Sequence, residues 1–401
     1  MLKGCFRQMA GLETDKTAIV IIAYNREKPL RRLLSSVKTA DYPDKCEVPL
    51  IISIDKSDNG EVLKAASEFD WKYGEKRILT HDKRLGLRRH VLECGDHSGE
   101  YGNVILLEDD LFVMPDFYNY ALAALEFTAC DERIGGVSLY NHLLNVHVRE
   151  PFFPVEDGFD NYYLQLASSW GQAYTAGQWK GFKEWLEKRG EGSELCDTDI
   201  PENVRSWSDS SWLKYNIAYL IEKDMYFLYP RSSLTTNFMS QGEHSGGESC
   251  DLQVPLGVFR GVRYRFGKLY ESRSRYDAFF ENTALKELMA QRYSLKPSDI
   301  CIDLYGYRRK TELKGRRYLL SSRALPFKIL DSYARTLRPL DCNIIYNITG
   351  EDFFLYDTDT EGKAPGVDKA ERYLYNYRAL SSARMLAMIK RTCLNKLIPG
   401  G

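Results

Sequence analysis

Three consecutive carboxylates, Glu108-Asp109-Asp110, close the apolar run Ile105-Leu106-Leu107 and lead into Leu111 in a chain of 401 residues. Like charges crowded at a strand end repel unless something cationic sits between them. A hard divalent ion, Mg2+ or Mn2+, bridging such oxygens to those of a diphosphate is the usual resolution. An acidic turn or a helix N-cap uses the same residue types, so the triplet alone leaves both readings open. Two more polar strand ends accompany it: Tyr24-Asn25-Arg26 after the run Thr17 to Ala23, and Asp55 after the run Val48 to Ile54.

The elements that must carry these groups alternate. Short β-branched runs at 17–23, 48–54, 77–80, 103–107 and 135–139 read as strands. Helical spacing at 27–37, 61–69, 87–94 and 115–128 fills the gaps. A β-α-β-α order with short connections predicts a three-layer α/β sandwich with a mostly parallel central sheet. Ligands of such sheets bind at the carboxyl ends of the strands, where all three polar groups fall. No G-x-G-x-x-G or G-x-x-x-x-G-K-[ST] pattern occurs, which disfavours a dinucleotide fold and a P-loop. Further helices are expected near 177–188, 208–221, 276–293 and 367–394, with a strand at 225–229, so the C-terminal region reads as mainly helical.

Composition bounds the rest. Hydrophobic residues make up 44% and charged residues 28%, which excludes disordered, collagen-like and coiled-coil chains. No apolar run approaches the ~20 residues of a membrane span, and the first residues lack a signal-peptide core, so a cytoplasmic protein is expected. The nine cysteines include no C-x-x-C pair and read as reduced thiols. Charge is uneven. Residues 257–401 hold 27 Lys and Arg against 16 Asp and Glu, whereas the formal net charge of the whole chain is −1. The chain is therefore divided at 256/257 into an α/β domain (1–256), which carries the polar strand ends, and a basic region (257–401). The basic part suits an anionic partner, read as an acceptor or a peripheral anionic membrane surface rather than nucleic acid. A homodimer built on the tail helices is an equal alternative.

Thr17 to Arg26, Asp55 and Ile105 to Phe117 together resemble the nucleotide-sugar-binding half of GT-A glycosyltransferases. The pattern is similar to bacterial family 2-type enzymes and, in Glu-Asp-Asp with the following Pro-Asp-Phe, to N-acetylglucosaminyltransferase I. The resemblance covers residues ~17 to ~250 in motif order. It implies the following roles. Asp110 is the metal ligand, with His244 completing the shell. Asp109 contacts the ribose or donor sugar, and Glu108 supports the loop. Asp55 meets the base, which favours uridine. Ala23, Tyr24 and Arg26 hold the nucleoside and phosphate. Arg88, in Arg84-Leu85-Gly86-Leu87-Arg88-Arg89, meets the diphosphate, as guanidinium groups near a helix start can. Trp170 floors the donor-sugar pocket. An inverting transfer needs a carboxylate base for the acceptor hydroxyl. Asp209 is the candidate, with helix capping as its competing role, and Glu243 is the reserve.

The expected function is a metal-dependent, inverting transfer of a sugar from a nucleoside diphosphate, UDP favoured, to a hydroxyl of a glycan or lipid-linked acceptor, as in bacterial surface polysaccharide synthesis. A sugar nucleotidyltransferase and a non-catalytic carbohydrate-binding protein on the same fold are the alternatives. Tyr24-Asn25-Arg26-Glu27 lacks the Gly-rich loop of the former, and the intact acidic cluster argues against the latter.

Overall fold

The computed structural model of the chain describes residues 16–44, 46–190, 195, 199–238, 252–313, 315–377 and 381–397. Its first half alternates β1 (Lys16–Ala23), α1 (Glu27–Lys38), β2 (Leu50–Ile54), α2 (Gly60–Glu68), β3 (Lys76–Thr80), α3 (Leu87–Asp96), α4 (Ser98–Tyr101), β4 (Gly102–Glu108), β5 (Leu111–Val113), α5 (Phe117–Thr128) and β6 (Ile134–Ser138). There follow β7 (Leu144–Asn145), β8 (Glu150–Pro151), β9 (Asn161–Leu164), β10 (Gln172–Thr175), α6 (Ala176–Arg189), α7 (Glu202–Arg205), α8 (Trp212–Glu222), β11 (Tyr226–Pro230), β12 (Thr235–Asn237) and β13 (Arg275–Tyr276).

Nine strands form one mixed sheet in the order β13-β9-β11-β6-β10-β4-β1-β2-β3. Strands β4, β1, β2 and β3 are mutually parallel, while β10 runs antiparallel to both β4 and β6. Alternation along β1 explains the layers. Ile19 and Ile21 face one buried cluster with Leu30, Leu33, Leu34 and Val37 of α1 and with α5. Ala18, Val20 and Ile22 face the other, with α3, α6 and α8. Helix starts are fixed locally: Asn59 caps α2, Thr175 and Gln178 form a capping box on α6, and Ser211 caps α8. The predicted strands and helices of residues 17–139 all form, with ends shifted by a residue or two.

The sequence pattern missed β9 and β10, which are only four residues long and lie in the aromatic-rich segment after 150. The C-terminal region carries α9 (Ala284–Tyr293), α10 (Lys310–Leu313), α11 (Asp341–Ile345), α12 (Lys369–Tyr377) and α13 (Ser382–Leu397). It also holds a four-stranded sheet, ordered β14-β15-β17-β16, from β14 (Ile300–Asp303), β15 (Tyr318–Ser321), β16 (Phe327–Tyr333) and β17 (Phe353–Glu361). The helix expected over 276–293 begins only at Ala284. Strand β13 and a turn that puts Phe280 at φ 64° precede it. The break in charge at 256/257 does not mark a break in packing. Phe259, Tyr264 and Phe266 pack on the large sheet's core, and Tyr264 donates to buried Asp116.

Cys46, Cys94, Cys301 and Cys342 are free. Cys130 is disulfide-bonded, which corrects the reduced-thiol reading at that position. Sequence spacing had not shown it because pairing depends on distance in space. Among the described residues no helix is long and apolar enough to cross a membrane.

Candidate functional site

Strand β1 is flanked by β2 on one side and β4 on the other, so the chain's crossovers diverge there. A crevice opens at such a switch point, outside the carboxyl ends of the strands. The end of β1 supplies Ala23, Tyr24 and Arg26, and the end of β4 supplies Glu108, Asp109 and Asp110. The main chain draws the two together through Asp109 N–H donating to Ile22 O at 3.1 Å. The Arg26 guanidinium donates to Asp109 and lies 3.1 Å from Asp110. The cation that the triplet calls for is thus, in this structure, an arginine of the chain itself.

The three carboxylates differ in exposure. Asp109 is buried at 3%, whereas the Asp110 side chain is 27% exposed and opens to the crevice. Burial raises Asp109 to about 6, even though Arg26 pulls it down. Glu108 is pushed up to about 8 by burial, reinforced by the charges of Asp110 and Asp109. Burial lowers the Arg32 pKa, with Asp110 opposing and Arg26 adding to the shift. The Arg32 guanidinium sits 3.1 Å over the Phe238 ring, and its Nε and Nη2 have no hydrogen-bond partner. The sequence reading had not singled out Arg32, whose only sequence signal is its place on the first helix after β1.

Oxygen donors suit a hard divalent ion. Among the described residues, no group of three or more His, Cys, Asp or Glu could hold a metal by itself. One or two carboxylates with the remaining positions left to water and phosphate oxygens is how Mg2+ is commonly bound, and exposed Asp110 fits that pattern. His244 and Glu243 lie outside the described residues.

Asp55, at the end of β2, is 4% exposed. Its Oδ1 accepts Lys56 N–H and Leu85 N–H, each at 2.8 Å, and its Oδ2 accepts Gly86 N–H at 2.9 Å. Burial alone would raise this carboxyl, but the three donors outweigh it and hold it below the usual carboxylate range. The contact the structure gives Asp55 is therefore with the loop that starts α3. Gly86 turns that loop at φ 76°, a region glycine enters without strain. Arg84 lies over the Tyr24 ring at 4.6 Å, which ties the loop back to β1.

Arg88 follows on α3. Its guanidinium stacks 4.4 Å over Tyr215, and Nη1 donates to Asp209 O at 3.2 Å. Asp209 is not the cap of α8, since Ser211 fills that role by accepting Lys214 N–H. The exposed Asp209 carboxylate instead takes Lys214 Nζ on Oδ1 at 2.9 Å, and this hydrogen bond holds it below the usual carboxylate range. Arg88, Asp209, Lys214 and Tyr215 thus form one cluster, joined to Asp55 through Leu85 and Gly86. Lys214 had gone unremarked in the sequence because a lysine on an amphipathic helix carries no signal of its own.

Trp170 is half-buried and tilted against Tyr140 at 4.7 Å, with His142 at 5.8 Å. The flanking positions favour this placement: Ser168 Oγ accepts Trp170 N–H at 3.2 Å, and Gly171 has φ 91°.

A mixed sheet with acidic and cationic groups gathered at the switch point is the arrangement expected above for a GT-A fold. Residues 18–163 match the family described as Glycosyl transferase family 2. An alpha-1,3-mannosyl-glycoprotein 2-beta-N-acetylglucosaminyltransferase of Arabidopsis thaliana is 26% identical over 262 residues. That match covers 61% of this chain and only 52% of the plant protein. Among solved structures, S. aureus TarS 1–349 in complex with UDP-GlcNAc overlaps with a TM-score of 0.37 at 14% identity, covering 57% of this chain and 60% of that one. The mannosyltransferase PcManGT of Pyrobaculum calidifontis, in complex with GDP-Man and Mn2+, gives 0.32 at 15% identity, covering 46% and 48%.

Proposed function

We propose that this chain is a metal-dependent, inverting glycosyltransferase. It moves a sugar from a nucleoside diphosphate, UDP favoured, to a hydroxyl of a glycan or glycolipid acceptor, as in the building of bacterial surface polysaccharide. The observation that carries the reading is the pairing of Arg26 with Asp109 and Asp110 at the switch point of the sheet. The family match over residues 18–163 supports it.

In this reading Asp110, with His244, holds Mn2+ or Mg2+. When bound, the ion would neutralise charge on the departing diphosphate. Asp109 accepts from the ribose or the donor sugar. Arg26 gives up part of its carboxylate pairing to meet a phosphate oxygen, and Arg88 meets the diphosphate from the start of α3. Ala23, Tyr24 and Asp55 border the nucleoside, and Trp170 floors the sugar pocket. Lys214 holds Asp209 Oδ1, leaving Oδ2 to take the proton of the acceptor hydroxyl. The basic region 257–401 lies against an anionic membrane surface on the cytoplasmic side, or its tail helices pack on a second copy of the chain.

The test is a thermal-shift series with UDP, GDP, CMP and TDP, each with and without Mn2+, followed by transfer from UDP-GlcNAc, which carries the N-acetylglucosaminyl group of the plant relative's name. Binding to the folded state alone stabilises it by about 2.7 kcal/mol at a hundredfold excess over Kd. A Mn2+-dependent shift with one nucleotide is expected. No shift with any of them overturns the reading.

A further inference from the structure

A cavity of about 860 Å3 lies where the β7–β8 hairpin meets the C-terminal sheet and α12. It shares no lining residue with the strand-end cluster. A narrower pocket continues from it, sharing Glu150, Tyr305, Arg335 and Arg372 and adding Arg338 and Tyr375. The charges of the narrow end do not balance. Arg372 is matched, donating to Glu150 at 2.6 Å and to Tyr305 O at 2.7 Å. Among the described residues, neither the Arg335 nor the Arg338 guanidinium has a carboxylate within ion-pair distance. Arg335 lies over the Phe353 ring at 4.9 Å, and Arg338 donates to Tyr375 O at 2.7 Å. Both arginines line this pocket without a direct carboxylate contact to the guanidinium, and the nearby Asp352, which accepts Arg335 N–H at 2.8 Å, and Glu150 attract Arg335 only from further off.

The wide part has a different character. Glu351, Asp352, Asp368 and Glu371 line it, so a ligand with many negative charges would be repelled there. Carboxylates accept hydrogen bonds from hydroxyls, and the exposed Tyr373 ring offers an apolar face. Ser322, buried at 7%, lines the same cavity with no hydrogen-bond partner for its Oγ. Gly306 keeps this wall close-packed: at its φ of 65°, a Cβ would come within 3.0 Å of Ser322 Oγ and 3.2 Å of Arg323 Cγ.

We infer that this junction cavity binds an acidic sugar, with hydroxyls against the carboxylates of the wide part and a single oxyanion, phosphate or carboxylate, held by Arg335 and Arg338. Burial, together with the neighbouring charge of Arg372, lowers the Arg335 pKa against the opposing pull of Asp352 and Glu150, and an oxyanion would offset the remaining cost. The inference rests on the transferase reading only in calling this sugar part of the acceptor. In that role the cavity is a subsite for a sugar unit beyond the reacting one. The hairpin that carries Glu150 begins two residues after His142, which packs on Trp170, so the two sites stand on one continuous support.

Glucose 6-phosphate is titrated into the full chain at low ionic strength, with and without saturating UDP and Mn2+, with glucose as the neutral control. Saturable binding that survives UDP, at least tenfold tighter than glucose, is expected. Arg335→Gln should weaken it at least tenfold and leave the UDP shift unchanged, with Arg335→Lys in between. Arg338→Gln, at an exposed position, gives the same direction should Arg335→Gln fail to fold. Equal affinity in the parent chain and both Gln variants overturns the inference. So does a loss confined to phosphatidylglycerol vesicles, measured against phosphatidylcholine, because the oxyanion is then a lipid headgroup. Arg335-dependent sugar phosphate binding without any nucleotide shift sinks the donor reading and leaves this one standing.

Discussion

Arg26 lies 3.1 Å from the Asp110 carboxylate while donating to the buried Asp109. One guanidinium thus does, between two strand ends, what a bound cation would do. Asp110 is the more exposed carboxylate, so neutralising it should leave the fold intact. Asp110→Asn is expected to melt within a few degrees of the parent chain, to lose the Mn2+-dependent part of the UDP shift, and to lower transfer at least a hundredfold. Full transfer activity in that variant would refute the metal assignment.

Asp55 fixes the loop that begins α3. In Asp55→Asn the amide nitrogen cannot accept the N–H groups that a carboxylate oxygen now takes, and the charge is lost. Hydrogen bonds to an ionised group contribute roughly 1.5–3 kcal/mol, and a loss of about that size is expected in urea unfolding at pH 7. The folded-state pKa is depressed. The stabilisation is therefore present above the ordinary carboxylate pKa and fades as pH falls through the lowered value. The gap between the two proteins should close in acid. A gap that stays constant to pH 3 would show that Asp55 acts by shape and not by charge.

Much of this arrangement was legible in the sequence because it rests on local patterns. The β-branched runs of β1, β2 and β4 and the polar residues directly after them follow from strand burial and chain order alone. The Arg26–Asp109 contact spans 83 positions and depends on β1 and β4 pairing in parallel, which spacing does not report. Strand β10 was missed for a related reason. It pairs antiparallel between β4 and β6, and its inward residues, Ala173 and Tyr174, make too short a run to show a period. The C-terminal sheet was masked by its composition. Strand β16 holds Lys328 and Asp331 on a partly exposed edge, and the charge reading took that stretch for a connector.

Asp209 and Lys214 test the proposed base directly. Their hydrogen bond keeps Asp209 ionised but makes it a weaker base. Asp209→Asn should cut kcat at least a hundredfold with little change in KM for the nucleotide sugar. Lys214→Met removes the group that lowers the Asp209 pKa, so the acidic limb of the pH–rate profile should move to higher pH. An unmoved limb, together with an active Asp209→Asn variant, would transfer the role to another carboxylate.

His142 offers a stability test beside the proposed sugar pocket. Its ring is enclosed by Tyr140, Trp170, Tyr229 and Phe280, and its Nε2 has no hydrogen-bond partner. Burial, with a smaller contribution from His147, lowers its pKa from 6.5 to about 3. A histidine held neutral in this way stabilises the fold fully above pH 6.5 and progressively less as pH falls towards the folded-state value, because the unfolded chain takes up the proton first. Glu108, Asp109 and Asp341 are raised and act in the opposite sense, so only a difference between variants isolates His142. His142→Phe keeps an aromatic ring and removes the orphaned nitrogen. It should gain roughly 1 kcal/mol at pH 7. Its advantage should then widen by up to about 1.4 kcal/mol for each pH unit below 6.5, read from paired urea titrations at pH 7, 5.5 and 4.5. Parallel curves at all three values would mean that His142 takes up its proton over the same pH range in the folded chain as in the unfolded one, and that burial does not shift it.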